Sequence, residues 1–172
     1  MILVALGANL AGPWGGPAAG ILAAVERFPA YGLTVEKLSP LYRTPAITPY
    51  AQPDFINAVA RISAALPPAD LLAQLHRIES DFGRVRTQRW SERTLDLDLI
   101  DYDGLILKGD ESGPIGLVLP HPRTVERGFV LVPLCDIAPD WRHPVDGRNA
   151  KALLAALPDE EKRGIVRISA VS

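Results

Sequence analysis

The sequence predicts an α/β fold of the α+β type, and three observations carry the prediction. The segment "RTLDLDLI" alternates apolar and polar residues, the period of a half-buried strand, and "FINAVARI" puts Ile56, Ala58, Ala60 and Ile62 on one side of a second strand. Between them, apolar residues recur three or four positions apart, as on one side of a helix. Gly and Pro residues separate these segments instead of gathering into one linker, so the chain reads as a single domain over residues 1–172.

Taken in order, the first strand is expected at residues 2–6, followed by the Gly- and Pro-rich stretch "GANLAGPWGGP". A helix near residues 18–28 carries the stripe Ile21, Val25 and Phe28. Strands follow around residues 33–42 and 55–62, joined by the proline-rich connection "RTPAITPYAQPD". A second helix begins at "PPAD", where Pro68 is tolerated in the first turn, and continues to about residue 82 with Leu71, Leu75, Ile78 and Phe82 inward. Strand 94–100 completes the order β-α-β-β-α-β, the split βαβ or ferredoxin-like sandwich. Pieces at residues 105–107, 129–134 and 149–157 extend it as C-terminal additions.

Composition narrows the function classes. With 172 residues, 48% hydrophobic and 22% charged, the chain can bury one full core and does not suit a disordered or membrane protein. The apolar start "MILVALG" is too short for a signal segment and lacks a basic lead, so a cytoplasmic protein is expected. The lone Cys135, in "LVPLCDIAP", excludes an internal disulfide and reads as packing. A net charge of −2 disfavours broad nucleic-acid binding, and neither a P-loop nor a G-x-G-x-x-G fingerprint occurs.

The chemistry concentrates around one strand. Leu95, Leu97 and Leu99 share one side of it, while Thr94, Asp96 and Asp98 share the other. Backbones two strand residues apart lie roughly 6.5–7 Å from each other, so two like charges there need water or a cation between them. A lone Asp-x-Asp is usually a solvated sheet face, but Asp is depleted in strands. A hard cation such as Mg²⁺ would explain the pair, because it binds one or two carboxylates and completes its shell with water and phosphate oxygens.

Just before this strand, "GRVRTQRWSER" places Arg84, Arg86, Arg89 and Arg93 within ten positions. On an acidic chain such a cluster fits a polyphosphate clamp better than a basic surface loop, since guanidinium forks match phosphate oxygens. Loop 83–93 has few apolar residues to hold it, and Trp90 within it suits closure over a flat group, so a mobile lid is expected. Phe55 and Asn57 project from one side of their strand, where a ring and an amide can stack on a planar heterocycle and read its edge. The later stretch "LPHPRTVERGFV" adds His121, Arg123, Arg127 and Phe129.

Together these segments resemble the 6-hydroxymethyl-7,8-dihydropterin pyrophosphokinase family. The resemblance rests on "LGANL", "YRTPAI", "QPDFINAV", "IESDFGRVR", "RW" before "RTLDLDLI", and "LPHPRTVERGFVLVPLCDIAP", in order over nearly the whole chain. It implies transfer of a pyrophosphoryl group from ATP to a pterin alcohol, giving AMP, in folate biosynthesis. A monomer is expected, and charge and hydropathy point to no nucleic-acid or membrane partner. By the same resemblance Asp96 and Asp98 hold two Mg²⁺ ions on the ATP phosphates, and Arg84 and Arg93 contact the polyphosphate as catalytic groups. Thr44, Pro45, Ile47, Phe55, Asn57, Trp90 and Phe129 match the pterin pocket. His76, Glu79, Leu99, His121 and Arg127 match nucleotide contacts, along with the two arginines. The departures are Ser91 where a Gly is common, His76 where a Gln occurs in some relatives, Phe55 where some relatives carry Tyr, and the longer connection "LKGDESGPIG".

Two other classes compete. A non-catalytic ferredoxin-like module that binds nucleotide or RNA would use "ERGFVLV" as its recognition strand, but Phe129, Leu131 and Pro133 lack the required second aromatic. A glycosidase would draw its two carboxylates from opposite walls of a cleft, not from adjacent positions on one strand face.

Overall fold

In the computed structural model the described residues are 1–46, 51–84, 93–109 and 116–168. Strand β1 (Ile2–Ala8) leads to helix α1 (Pro17–Arg27), then to β2 (Leu33–Leu38), β3 (Tyr42–Thr44) and β4 (Phe55–Ala64). Helix α2 (Pro68–Asp81), strand β5 (Asp96–Tyr102), helices α3 (Gly128–Ile137), α4 (Ala150–Ala156) and α5 (Asp159–Lys162), and strand β6 (Val166–Arg167) follow among the described residues. The sheet runs β5-β1-β4-β3-β6 with β2 also on β4, and every pairing is antiparallel. With β2 and β3 counted as one interrupted strand, this is the ferredoxin-like arrangement expected from element order.

Local chemistry explains the boundaries. Both α1 and α2 begin with a proline, whose missing N–H costs nothing in a first turn. Asp70 in the first turn of α2 favourably faces the positive end of that helix. The single strand expected at residues 33–42 is divided at Pro40, which has no N–H to donate to a ladder. Ser39 takes over there: its N–H donates to the Val59 carbonyl at 3.0 Å and its Oγ accepts from the Val59 N–H at 3.0 Å. The piece at residues 129–134 lies within α3, so the comparison with an RNA-recognition strand fails on backbone geometry. Pro133 sits inside that helix and removes the usual bond back to the Phe129 carbonyl.

Helices cover both faces of the sheet. On one face Val4, Leu6, Ala58, Ala60, Leu97 and Leu99 pack with Ile21, Ala24 and Phe28 and with Leu71, Leu75, Ile78 and Phe82 of the α2 stripe. On the other, Leu3, Val59 and Ile100 pack with Val130, Leu131, Leu134, Trp141 and Leu153 from the α3 and α4 layer. A register shift between Leu3 and Val4 places Asp101 opposite Leu3, inside this second core. Its carboxylate accepts from Trp141 Nε1 at 2.8 Å and from the Gly104 N–H at 2.7 Å, so this third aspartate of the strand has a structural post.

Candidate active site

Past the end of the α3 and α4 layer, the same sheet face opens into a cavity of about 250 Å³. Its sheet floor comes from three neighbouring strands: Gly7 of β1, Phe55 and Asn57 of β4, and Asp96 and Asp98 of β5. Asp96 is paired across the sheet with Gly7 and Asp98 with Ala5, so β1 offers no competing side-chain donor beside the carboxylates. A side chain at Gly7 would intrude here, since a Cβ would stand 3.0 Å from Asn57 Oδ1.

The amide end of the cavity is fixed. Asn57 is buried, and its Nδ2 donates to Thr44 Oγ1 at 2.7 Å. Thr44, Pro45, Gln52, Phe55 and Phe129 line this end, with the Arg127 guanidinium 5.5 Å from the centre of the Phe129 ring. Two aromatic rings thus border this end, Phe55 from strand β4 and Phe129 from helix α3, together with the amide of Asn57.

The charged end is a chain of carboxylates and guanidiniums. Glu79 is 1% exposed; its Oε1 accepts from the Leu97 N–H at 2.7 Å and also pairs with Arg84. Arg84 reaches on to Asp96 Oδ1 at 2.6 Å, while Arg93 pairs with Asp96 Oδ2. Arg127 Nη1 lies 3.3 Å from Asp98 Oδ2, and His121 Nε2 lies 3.9 Å from the same oxygen. Burial pulls the His121 imidazolium below its usual pKa, opposed by Asp98 and aided by the cations Arg127 and Arg123. Burial likewise lowers the pKa of Arg127.

Most of the predicted residues meet here. Thr44, Pro45, Phe55, Asn57, Arg93, Asp96, Asp98, Arg127 and Phe129 all line the cavity. Arg84, Glu79 and His121 stand behind its carboxylates, and His76 lies on α2 one turn before Ser80, which donates to its carbonyl. The Leu99 side chain is buried in the α1 and α2 core, on the opposite face from both aspartates, which leaves only its backbone to reach a nucleotide. Ile47, Trp90, Arg86, Arg89, Ser91 and most of the expected lid lie outside the described residues.

Sequence reasoning missed several participants. Asn9 is buried; its Oδ1 accepts from the Arg93 N–H at 2.8 Å, and its own N–H donates to the Arg93 carbonyl at 3.0 Å. Its Nδ2 reaches Gln52 Oε1 at 3.3 Å, tying the start of the Asp strand to the loop beside Phe55. Both residues sit in the quoted blocks "LGANL" and "QPDFINAV", so the signal was present without an assigned role. Trp14 stacks on Phe82 at 4.1 Å and fixes the Gly- and Pro-rich loop to the end of α2, beside Arg84. Arg123, Glu126 and Glu161 also line the cavity.

The family model described as 7,8-dihydro-6-hydroxymethylpterin-pyrophosphokinase (HPPK) matches residues 3–139. A 2-amino-4-hydroxy-6-hydroxymethyldihydropteridine pyrophosphokinase of Pseudomonas aeruginosa is 44% identical over 167 residues, covering 97% of this chain and 96% of the relative. The enzyme of the same name from Methylorubrum extorquens is 38% identical over 164 residues, covering 95% of each. Among solved structures, the Plasmodium falciparum HPPK-DHPS with SDX-DHP superposes with a TM-score of 0.66 at 14% identity, which bears on the fold alone. That match covers 90% of this chain and 43% of the Plasmodium chain.

Proposed function

The chain belongs to the 7,8-dihydro-6-hydroxymethylpterin-pyrophosphokinase family, and from that premise we propose that it transfers the pyrophosphoryl group of ATP to 6-hydroxymethyl-7,8-dihydropterin, releasing AMP, in the cavity between Asn57 and the two aspartates. One observation carries the assignment of the site: a single cavity joins an aromatic and amide end to a carboxylate and guanidinium end. A flat, hydrogen-bonding heterocycle fits the first end and a polyphosphate the second, which brings an alcohol on the ring within reach of a phosphorus.

The donor set suits Mg²⁺. Asp96 and Asp98 are hard oxygen ligands on one sheet face, and no group of three or more potential ligand side chains occurs among the described residues. That is the protein contribution expected of an ion that keeps water and phosphate oxygens for the rest of its shell. Asp96 and Asp98 would hold the ions, two in number by our reading, and bound metal supplies charge neutralisation to the phosphate oxygens.

The chain's own residues do the remainder. Phe55 and Phe129 offer ring faces to the heterocycle, and Asn57, oriented by Thr44, is available to its edge. The pterin hydroxymethyl oxygen attacks the β-phosphorus in line, the bond from that phosphorus to the α-phosphate oxygen breaks, AMP leaves, and the hydroxyl proton is released to water. Arg84 and Arg93, each carrying several donors beyond those spent on Asp96, stabilise charge on the transferring group. Arg127 and His121 face the same group from the Asp98 side. The whole chain acts in this reading as one catalytic domain, a cytoplasmic monomer; no helix of the described residues is long and apolar enough to cross a membrane. Sedimentation of the purified protein checks the monomer.

The nucleotide product tests the function. With ATP, Mg²⁺ and the pterin alcohol, phosphorus NMR should record AMP and a pterin diphosphate in equal amounts. Formation of ADP, or consumption of ATP without the pterin, would overturn the proposal.

A further inference from the structure

The C-terminal segment from α5 to β6 lies beyond the residues the family model matches, yet it touches the heterocycle end of the cavity by four separate contacts. Glu161 lines the cavity directly. The Glu161 carbonyl lies against Gly128, where a Cβ would stand only 2.0 Å from that oxygen. Gly128 is the residue between Arg127, which faces Asp98, and Phe129, which faces the heterocycle end. Gly164, in the left-handed region at φ +74, lies over Pro45; a Cβ there would stand 2.7 Å from the proline Cγ. Finally, β6 pairs with β3, Tyr42 with Arg167 and Arg43 with Val166, and the Ile168 N–H donates to the Leu41 carbonyl at 3.0 Å.

We propose that residues 158–168 form a strap that positions the heterocycle end of the site, holding Thr44 and Pro45 on one side and Phe129 on the other at the spacing a planar ring requires. The inference rests on the pterin reading given above. Its physical content is specific. β3 is only three residues long and is followed by loop, so its end is held on one side by β4 and on the other by the strap. Phe129 lies in the first turn of α3, which is held by the close approach of Glu161 to Gly128. Two walls of one slot are thus referenced to the same short segment, so a shift of the strap alters the slot width and leaves Asp96 and Asp98, on the far strand β5, in place. Loss of such preorganisation weakens binding of the group held by the slot more than that of its neighbour.

The test separates the two ligands. Gly164→Ala, which meets both the unfavourable φ and Pro45, should raise the Kd of the pterin by roughly tenfold while the Kd of MgATP changes by less than about twofold. Glu161→Ala should lie between wild type and Gly164→Ala. Calorimetry with each ligand alone, beside a thermal melt, reads the outcomes. Equal weakening of both ligands, or a lowered Tm with pterin affinity unchanged, would make the strap a structural edge only. Wild-type protein that binds no pterin would sink the functional reading itself, a result independent of the strap variants.

Discussion

On one face of the sheet, Val4, Leu6, Ala58, Ala60, Leu97 and Leu99 are covered by α1 and α2; on the other, α3 and α4 cover Leu3, Val59 and Ile100 and then stop. Beyond that limit the same strands present Gly7, Asn57, Asp96 and Asp98 to a cavity. Strand alternation treats the two faces alike. The difference comes from how far the helical layer reaches, and it teaches that polar strand residues become a site only where the covering layer ends. Asp101 is the counterexample on the same strand: covered by that layer, its carboxylate is spent on Trp141 and Gly104.

The open end should give the largest loss on substitution. Asp96→Ala or Asp98→Ala should lower turnover by roughly a thousandfold or more, because each removes a candidate metal ligand and the partner of at least one guanidinium. The fold should survive, since Arg84 keeps Glu79. A circular dichroism melt close to wild type together with a collapsed rate is the expected pair of results. Near-normal turnover would remove these carboxylates from the chemistry.

One residue along, the effect should reverse in kind. Leu97→Ala lies between the two aspartates but faces the closed core at 1% exposure, so it should cost about 2–5 kcal/mol in urea denaturation. Turnover per folded molecule should fall far less than in the aspartate variants. A large catalytic loss at unchanged stability would mean the two faces are not separable.

Within the cavity, Phe55→Ala and Asn57→Ala should weaken pterin binding by about ten- to a hundredfold, the range expected when a stacking surface or a buried hydrogen-bonding group is removed. MgATP affinity should stay nearly constant. Titration calorimetry with the ligands taken singly distinguishes this from general damage, which would weaken both.

The smallest effect belongs to the closed half of the same face. Tyr42 is buried, donates to Asp136 Oδ2 at 2.6 Å, and has its pKa pushed from 10.0 up to about 12, chiefly by burial and then by that hydrogen bond. The folded state therefore holds the phenol proton more tightly than the unfolded chain. The associated stability is fully present below pH 10 and is lost as pH rises from there toward 12, by on the order of 1–2 kcal/mol. Tyr42→Phe should flatten that part of the stability curve. An unchanged slope would place the titrating group elsewhere.

Much of this arrangement was legible in the sequence. The stripe Leu71, Leu75, Ile78 and Phe82 is buried as its spacing predicts, and Phe55 with Asn57 does line the cavity while Ala58, Ala60 and Ile62 face the core. The two aspartates share a face because strand geometry leaves no alternative. The division at Pro40 was readable in principle from the missing N–H. The helical state of Gly128–Ile137 was not, since a short apolar run with β-branched residues and an interior proline carries no decisive period.

Element order, the face that each strand residue takes, and the gathering of arginines before two aspartates follow from spacing along the chain. That Asp101 is a core residue, that Asn9 grips the Arg93 backbone and that Glu161 reaches the wall of the cavity emerge only in the folded chain. Those outcomes depend on a register shift between strands, on where a helical layer ends, and on β6 returning to the distant strand β3. Side-chain periodicity is a local property of the backbone, whereas a cavity is bounded by segments far apart in sequence, and no local spacing encodes the distance between its walls.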